Sequence, residues 1–271
     1  MNGSLVNKRI AEAIRRLPEG PNRFVLAVSG GPDSQCLLKA FPHVMMEVSP
    51  LSHCVAAGVN HGLREEADKE LGLARDLALS QQVPFVKLRV RVPKEGASLQ
   101  AKAREVRYEA LRAYAGSSPN AYVVTAHHFD DRAETVLIRL LRGKRIGSLA
   151  VLPEVSWQVF RPMLKVRREE IDSYLERWKV LFATDPSNSN TRYLRTRVRN
   201  ELLPSMESMS PRIRERLNEI ADEALASKGG QTFPDVLGEE RELGLAGVGV
   251  RPQGGNGEPV VDEVEDEVRA G

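Results

Sequence analysis

Four short apolar runs, each followed by a longer segment with apolar residues at helical spacing, limit the fold of this chain more than any other feature. The runs are Arg23–Val28, Cys54–Val59, Pro84–Val90 and Ala121–Ala126. The helical segments cover Asp33–Phe41, about 65–81, about 98–114 and about 130–142. Runs of roughly 5–7 apolar residues suit strands buried on both faces, and an intervening helix lets successive strands run parallel. The spacing therefore predicts an α/β fold: a mostly parallel sheet with flanking helices. In such a sheet ligands sit beyond the carboxyl ends of the strands. The polar clusters of this sequence fall at those ends: 29–34 after the first run, 60–64 after the second and 127–135 after the fourth.

Around that unit the chain divides by pattern. Residues 1–22 read as an amphipathic helix with Leu5, Ile10, Ile14 and Leu17 on one broad face. Residues 23–205 form the main domain, which turns helical from about 165. A short strand is expected at Gln158–Arg161, with helices at Val166–Lys179 and near Tyr193–Met206. Residues 206–228 are a helical extension. From 229 to 271, ten of 43 residues are Gly and long apolar periodicity is lost, so this segment reads as a flexible acidic tail. The net charge of +2 averages over unlike parts. The tail holds ten acids and three arginines, a net −7, which leaves +9 on the other 228 residues. A body of that charge suits a nucleic-acid partner, and the tail is expected to shield it from non-specific RNA. Cys36 and Cys54 are too few and too far apart for a disulfide framework or a zinc site, which points to a reducing cytosol. The N-terminus lacks the apolar core and cleavage site of a signal peptide, and no stretch approaches the ~20 apolar residues of a membrane span.

Ser29-Gly30-Gly31-Pro32-Asp33-Ser34 lies between a strand and its helix. Glycines let backbone N–H groups approach an anion, and the helix N-terminus adds its positive end. Asp33 and Ser34 can also cap that helix. The spacing is neither GxxxxGK[ST] nor GxGxxG. Asp130, Asp131 and Glu134 open another helix, and the i, i+4 pair Asp130 and Glu134 can converge on one cation. Complementing the helix dipole accounts for one or two of these acids. Three, preceded by His127 and His128 at a strand end, favour a site. No third His or Cys stands near those histidines to complete a transition-metal site. Arg104 and Arg107 lie beside Glu105 and Glu109, where a solvated face accounts for either alone. Arginine clamps phosphate oxygens bidentately, and Arg104 is the one favoured here. Arg192, Arg195 and Arg199 share a helix face, and seven Arg stand against three acids between Arg192 and Arg216. Such a stripe fits contacts along an RNA backbone.

The Ser29–Ser34 loop resembles that of the PP-loop (N-type) ATP pyrophosphatases. Asn60-His61-Gly62-Leu63-Arg64, Ala103–Tyr108 and His127-His128-Phe129-Asp130-Asp131-Arg132-Ala133-Glu134-Thr135 narrow the match. Together they resemble the tRNA(Ile)-lysidine synthetase family, and Arg161–Leu164, Asp185–Asn188 and Tyr193–Arg197 extend the resemblance over about residues 23–204. It implies that 23–205 is a PP-loop catalytic domain of a cytoplasmic enzyme that ligates L-lysine to C2 of cytidine 34 in tRNA(Ile) with a CAU anticodon. Cytidine O2 attacks the α-phosphate of ATP and releases pyrophosphate. The lysine ε-amine then attacks C2 and expels AMP. Carried onto this chain, the resemblance implies ATP binding by Ser29, Gly30, Gly31, Pro32, Asp33, Ser34 and His61. It implies catalytic roles for Asp33, Arg104 and Asp131, and lysine binding by Asp130, Asp131 and Glu134. Arg192, Arg195 and Arg199 are then the tRNA contacts. Mg²⁺ is expected with ATP, at Asp33 or Asp131, and the acids hold either substrate ammonium groups or Mg²⁺. The chain departs from the family pattern at Gly58, where a His is usual, at Arg142–Gly147, which has fewer glycines, and at Thr196, where Asn is expected. Many members also carry larger C-terminal domains, so the resemblance leaves open a compact member or an enzyme with other recognition rules. The alternatives are a PP-loop thiolase forming 2-thiocytidine, whose Cys-x-x-Cys pairs this chain lacks, a ligase using another amine, and an ATP-binding regulatory domain.

Overall fold

The computed structural model describes residues 4–60, 66–91, 99–184, 194–228 and 264–267. Helix α1 (Leu5–Ile14) precedes β1 (Arg23–Val28), α2 (Pro32–Val48), β2 (His53–Asn60), α3 (Glu66–Ser80), β3 (Phe85–Arg89), α4 (Leu99–Ala115), β4 (Ala121–Val124) and α5 (Phe129–Leu141). The four apolar runs are thus strands and the segments between them helices. A 3-10 turn at Ile146–Leu149 leads into the hairpin β5 (Val155–Ser156) and β6 (Val159–Phe160), then α6 (Arg168–Arg177). The chain continues through α7 (Leu194–Arg197), a π-helical turn at Val198–Leu202, α8 (Leu203–Met209) and α9 (Ile213–Ser227). A last strand, β7 (Val264–Glu267), lies within the segment expected to be a flexible tail. The rest of that tail lies outside the described residues.

The sheet order is β5-β6-β4-β1-β2-β3-β7. Strands β6, β4, β1, β2 and β3 run parallel, while β5 and β7 are antiparallel to their neighbours at the two edges. From β1 the chain winds to β2 and β3 on one side, then crosses to β4 and β6 on the other. The order therefore reverses between β1 and β4, and the crevice at their carboxyl ends is where a doubly wound sheet binds its ligand. Both polar clusters that follow these strands, 29–34 and 127–135, arrive there.

The period-two alternation of β1 separates two cores. Phe24, Leu26 and Val28 face α1, α2 and α6, and Phe24 meets the rings of Phe41, Tyr122 and Phe160. Val25 and Ala27 face Ala110, Leu111 and Ala115 of α4. A third cluster joins Ala133, Val136, Leu137 and Ile138 of α5 to Leu203, Leu217, Ala221 and Ala224 of the C-terminal helices. Two side-chain expectations change. Val6 replaces Leu5 on the buried face of α1. Helix α5 is buried around its whole circumference over 130–139, because α9, the 3-10 turn and the turns at Leu194–Leu202 enclose it, and only its last turn emerges with Leu140 and Leu141 exposed.

Candidate active site

The loop after β1 is held in shape by contacts within itself and with its neighbours. Gly30 has φ +76°, and a Cβ there would lie 2.1 Å from the Glu70 carbonyl oxygen, so only glycine fits. Gly31 is the N-cap of α2 and Pro32 opens the helix without wasting an N–H. The Ser34 hydroxyl donates to the Gly31 carbonyl (2.9 Å) and accepts from the Ser29 N–H (3.2 Å). From outside, the Ala183 N–H donates to the Gly30 carbonyl and Gln35 Nε2 to the Leu181 carbonyl, both at 2.9 Å. The first-turn N–H groups of α2 face a cavity of about 420 Å³ lined by Ser29, Gly31, Pro32, Asp33 and Ser34.

Across the crevice, His128 caps α5 and its N–H donates to Asp131 Oδ2 at 3.1 Å. The three acids of α5 divide differently from the i, i+4 expectation. Asp131 and Glu134 share two guanidiniums: Arg195 donates to Asp131 Oδ1 (2.9 Å) and Glu134 Oε2 (2.8 Å), and Arg199 donates to Glu134 Oε1 (2.6 Å). Asp130 instead accepts from Arg214 (2.6 Å) and from the Arg168 N–H (2.9 Å). The reason is burial. With α5 enclosed, each acid takes whichever cation its own side of the helix meets.

His128 is 2% exposed and lies 3.5 Å from carboxylate oxygens of Asp130 and Asp131 and 3.8 Å from Asp33. Burial alone would lower its pKa, but Asp131, Asp130 and Asp33 together raise it to about 9, so the ring is an imidazolium. Burial pushes the Asp33 carboxyl up, against the pull of His128. Asp131 goes the other way: His128 and Arg195 outweigh its burial and hold it well below the usual carboxylate range. His127 is held well below its ordinary value by burial and by Arg161 and Arg104. Adjacent histidines at one strand end are thus driven in opposite directions.

Five arginines, Arg104, Arg107, Arg168, Arg195 and Arg199, line the cavity with Asp33 and Asp131. Sequence reasoning set Arg107 aside, although i, i+3 spacing from Arg104 puts both on one face of α4. It missed Arg168, which donates to Asp33 at 2.8 Å, and Arg214, because nothing local marks a partner 135 or 84 residues away. Arg195 and Arg199 do share a helix face, and that face meets the acids of α5. His61 and Arg192 lie outside the described residues, as do Arg64 and Asp185–Asn188. Among the described residues no three His, Cys, Asp or Glu side chains are grouped to hold a metal by themselves, and no helix is long and apolar enough to cross a membrane.

Residues 4–206 match the profile of a family described as a PP-loop domain. Among curated proteins, the chain is 35% identical over 226 residues to a tRNA(Ile)-lysidine synthase of Bradyrhizobium diazoefficiens, covering 82% of this chain and 62% of that protein. It is 38% identical over 187 residues to one of Rhodopseudomonas palustris (68% and 54% covered). With one of Enterococcus faecalis it shares 32% over 204 residues (74% and 44% covered). The chain therefore spans about half the length of the curated relatives it matches. Among solved structures, the U34-tRNA thiolase NcsA of Methanococcus maripaludis, with its [4Fe-4S] cluster, superposes at TM-score 0.66 and 15% identity, over 88% of this chain and 77% of that one. That likeness is one of fold.

Proposed function

The chain belongs to the PP-loop domain family, and from that premise we propose that it is a cytoplasmic ATP-dependent tRNA(Ile)-lysidine synthetase. The observation that carries the reading is the convergence of the Ser29–Ser34 loop and the α5 acids on one cavity at the β1–β4 crevice. The backbone N–H groups of the loop and α2 take the triphosphate, and Arg104, Arg107 and Arg168 supply donors where charge develops as pyrophosphate leaves. Cytidine O2 of the tRNA attacks the α-phosphorus; the P–O bond to pyrophosphate breaks, leaving adenylated tRNA. Lysine, its α-ammonium on Asp131 and Glu134, gives the ε-ammonium proton to solvent and attacks C2 through the neutral ε-amine. The C2–O bond breaks, AMP departs, and the amine proton passes to solvent.

Asp33 and Asp131 line the same cavity, but Arg168 (2.8 Å) and Arg195 (2.9 Å) already pair with them and the charged His128 lies against both, so Mg²⁺ arriving with ATP would take most of its oxygens from phosphate and water and at most one from each carboxylate. Bound there, the ion would neutralise charge on the departing pyrophosphate. Arg195 and Arg199, whose Nε and Nη2 groups hold Asp131 and Glu134, have only their Nη1 sides to offer tRNA phosphates. The thiolase alternative is not favoured: Cys36 is fully buried, and burial pushes the Cys54 thiol up to about 12, so neither offers a thiolate.

Labelled lysine, ATP and tRNA(Ile) with a CAU anticodon should yield labelled tRNA with one pyrophosphate per lysine transferred. Pyrophosphate release with no lysine incorporated would overturn the lysine assignment and leave the PP-loop chemistry standing.

A further inference from the structure

Between the phosphate loop and the acids lies a chain of three side chains, of which the reading above uses only Arg104. Thr125 and His127 follow β4, and Arg104 reaches them from α4. The Thr125 hydroxyl is 2.8 Å from His127 Nδ1, and Arg104 Nη2 is 3.2 Å from His127 Nε2. A guanidinium only donates, so Nε2 must carry the lone pair. The proton then sits on Nδ1 and is donated to Thr125 Oγ1. Burial and the surrounding Arg161, Arg104 and Arg195, opposed by Asp131 alone, keep the ring in this neutral state. The guanidinium is fixed on a second side by Tyr108, one turn along α4, whose ring centroid lies 5.6 Å from Arg104 Cζ. Tyr108 is itself buried against Val159 of the sheet.

We propose that Thr125 and His127 are positioning residues that orient Arg104 so that its cavity-facing N–H groups meet the phosphate oxygens of ATP. The inference rests on the ATP half of the reading above and is independent of lysine. His127 is then no general base, because its one lone pair is spent on Arg104, and its replacement acts only through Arg104. A misaimed donor in a site of this kind costs up to about 100-fold.

The test is a double-mutant cycle, read as Kd for a non-hydrolysable α,β-methylene ATP and as the KM and kcat of pyrophosphate release. H127A should weaken analogue binding and slow release by roughly 10- to 100-fold, and T125V by a smaller factor. H127Q should recover much of the loss, because its side-chain oxygen can accept from Arg104. In an R104A background H127A should cost almost nothing further. Additive losses in that cycle, or an H127Q as impaired as H127A with an unchanged melting temperature, would overturn the relay. If wild type binds the analogue but releases no pyrophosphate with tRNA, the proposed activity fails while the binding cycle still decides the relay.

Discussion

Gly30 shows how much one residue can decide. Its positive φ and the Glu70 carbonyl 2.1 Å from any Cβ mean that G30A must displace either the loop or α3. We expect a loss of about 1–3 kcal/mol in stability together with ATP binding. G31A is the contrast: its Cβ would meet only the Ser29 hydroxyl at 3.6 Å, so its thermal stability should stay within about 0.5 kcal/mol of wild type. Equal melting temperatures for the two variants would contradict this account. His128 gives a second test. Its pKa is raised in the fold to about 9 from an ordinary 6.5. The stability its charge supplies is therefore complete below about 6.5 and is lost as pH rises through about 9. Melting temperature should fall over that window, and H128A should flatten the fall, since Asp33, Asp130 and Asp131 lose a shared cation but keep Arg168, Arg214 and Arg195. At this scale the loop and the acids were legible, because each is a local string whose chemistry follows from residue type and order. Arg168 and Arg214 were not, because their meaning lies in partners set by the fold.

Elements show the same division. The βα alternation was readable because strand and helix differ in period, and the switch between β1 and β4 then brought the two motifs together without further information. What α5 touches was not readable. Leu140 and Leu141 continue its apolar spacing and yet emerge into solvent, while Asp130, Asp131 and Glu134 are enclosed. The enclosing element is α9, all of which lies beyond the matched family region. It is tied to the site by Arg214 on Asp130 (2.6 Å), by Glu215 on Arg167 (2.6 Å) and by Asp222 on Arg132 (2.6 Å). Leu217, packed in the cluster with α5, is the apolar anchor. L217A should destabilise the protein by about 2–5 kcal/mol. R214A should lower activity by more than its effect on stability explains, because Asp130 then keeps only the Arg168 N–H and His128 as partners and draws that ring away from Asp33 and Asp131. Activity losses that simply follow melting temperature in both variants would reduce α9 to a scaffold.

The whole molecule is a basic body of +9 joined to a segment of −7. Five arginines converge on one cavity, so any polyanion is attracted to it, and the proposed activity on tRNA would require discrimination against bulk RNA. Strand β7 shows one place where the acidic segment returns to the body: it pairs antiparallel with the outer edge of β3, with Glu265 opposite Lys87 and Asp266 opposite Val86 in register. That pairing also closes a sheet edge that would otherwise present unpaired N–H and C=O groups. Two effects are thus combined, and they separate experimentally. Deleting 229–271 should tighten binding of unrelated RNA at low salt by ~10-fold and lose that gain as salt rises, since screening acts on both partners. Neutralising Asp235, Glu239, Glu240 and Glu242 to their amides leaves β7 intact and should give part of the same gain. If the amide variant binds like wild type while the deletion tightens or aggregates, the exposed edge of β3 is responsible, and the acidic segment works by covering an edge rather than by repelling RNA.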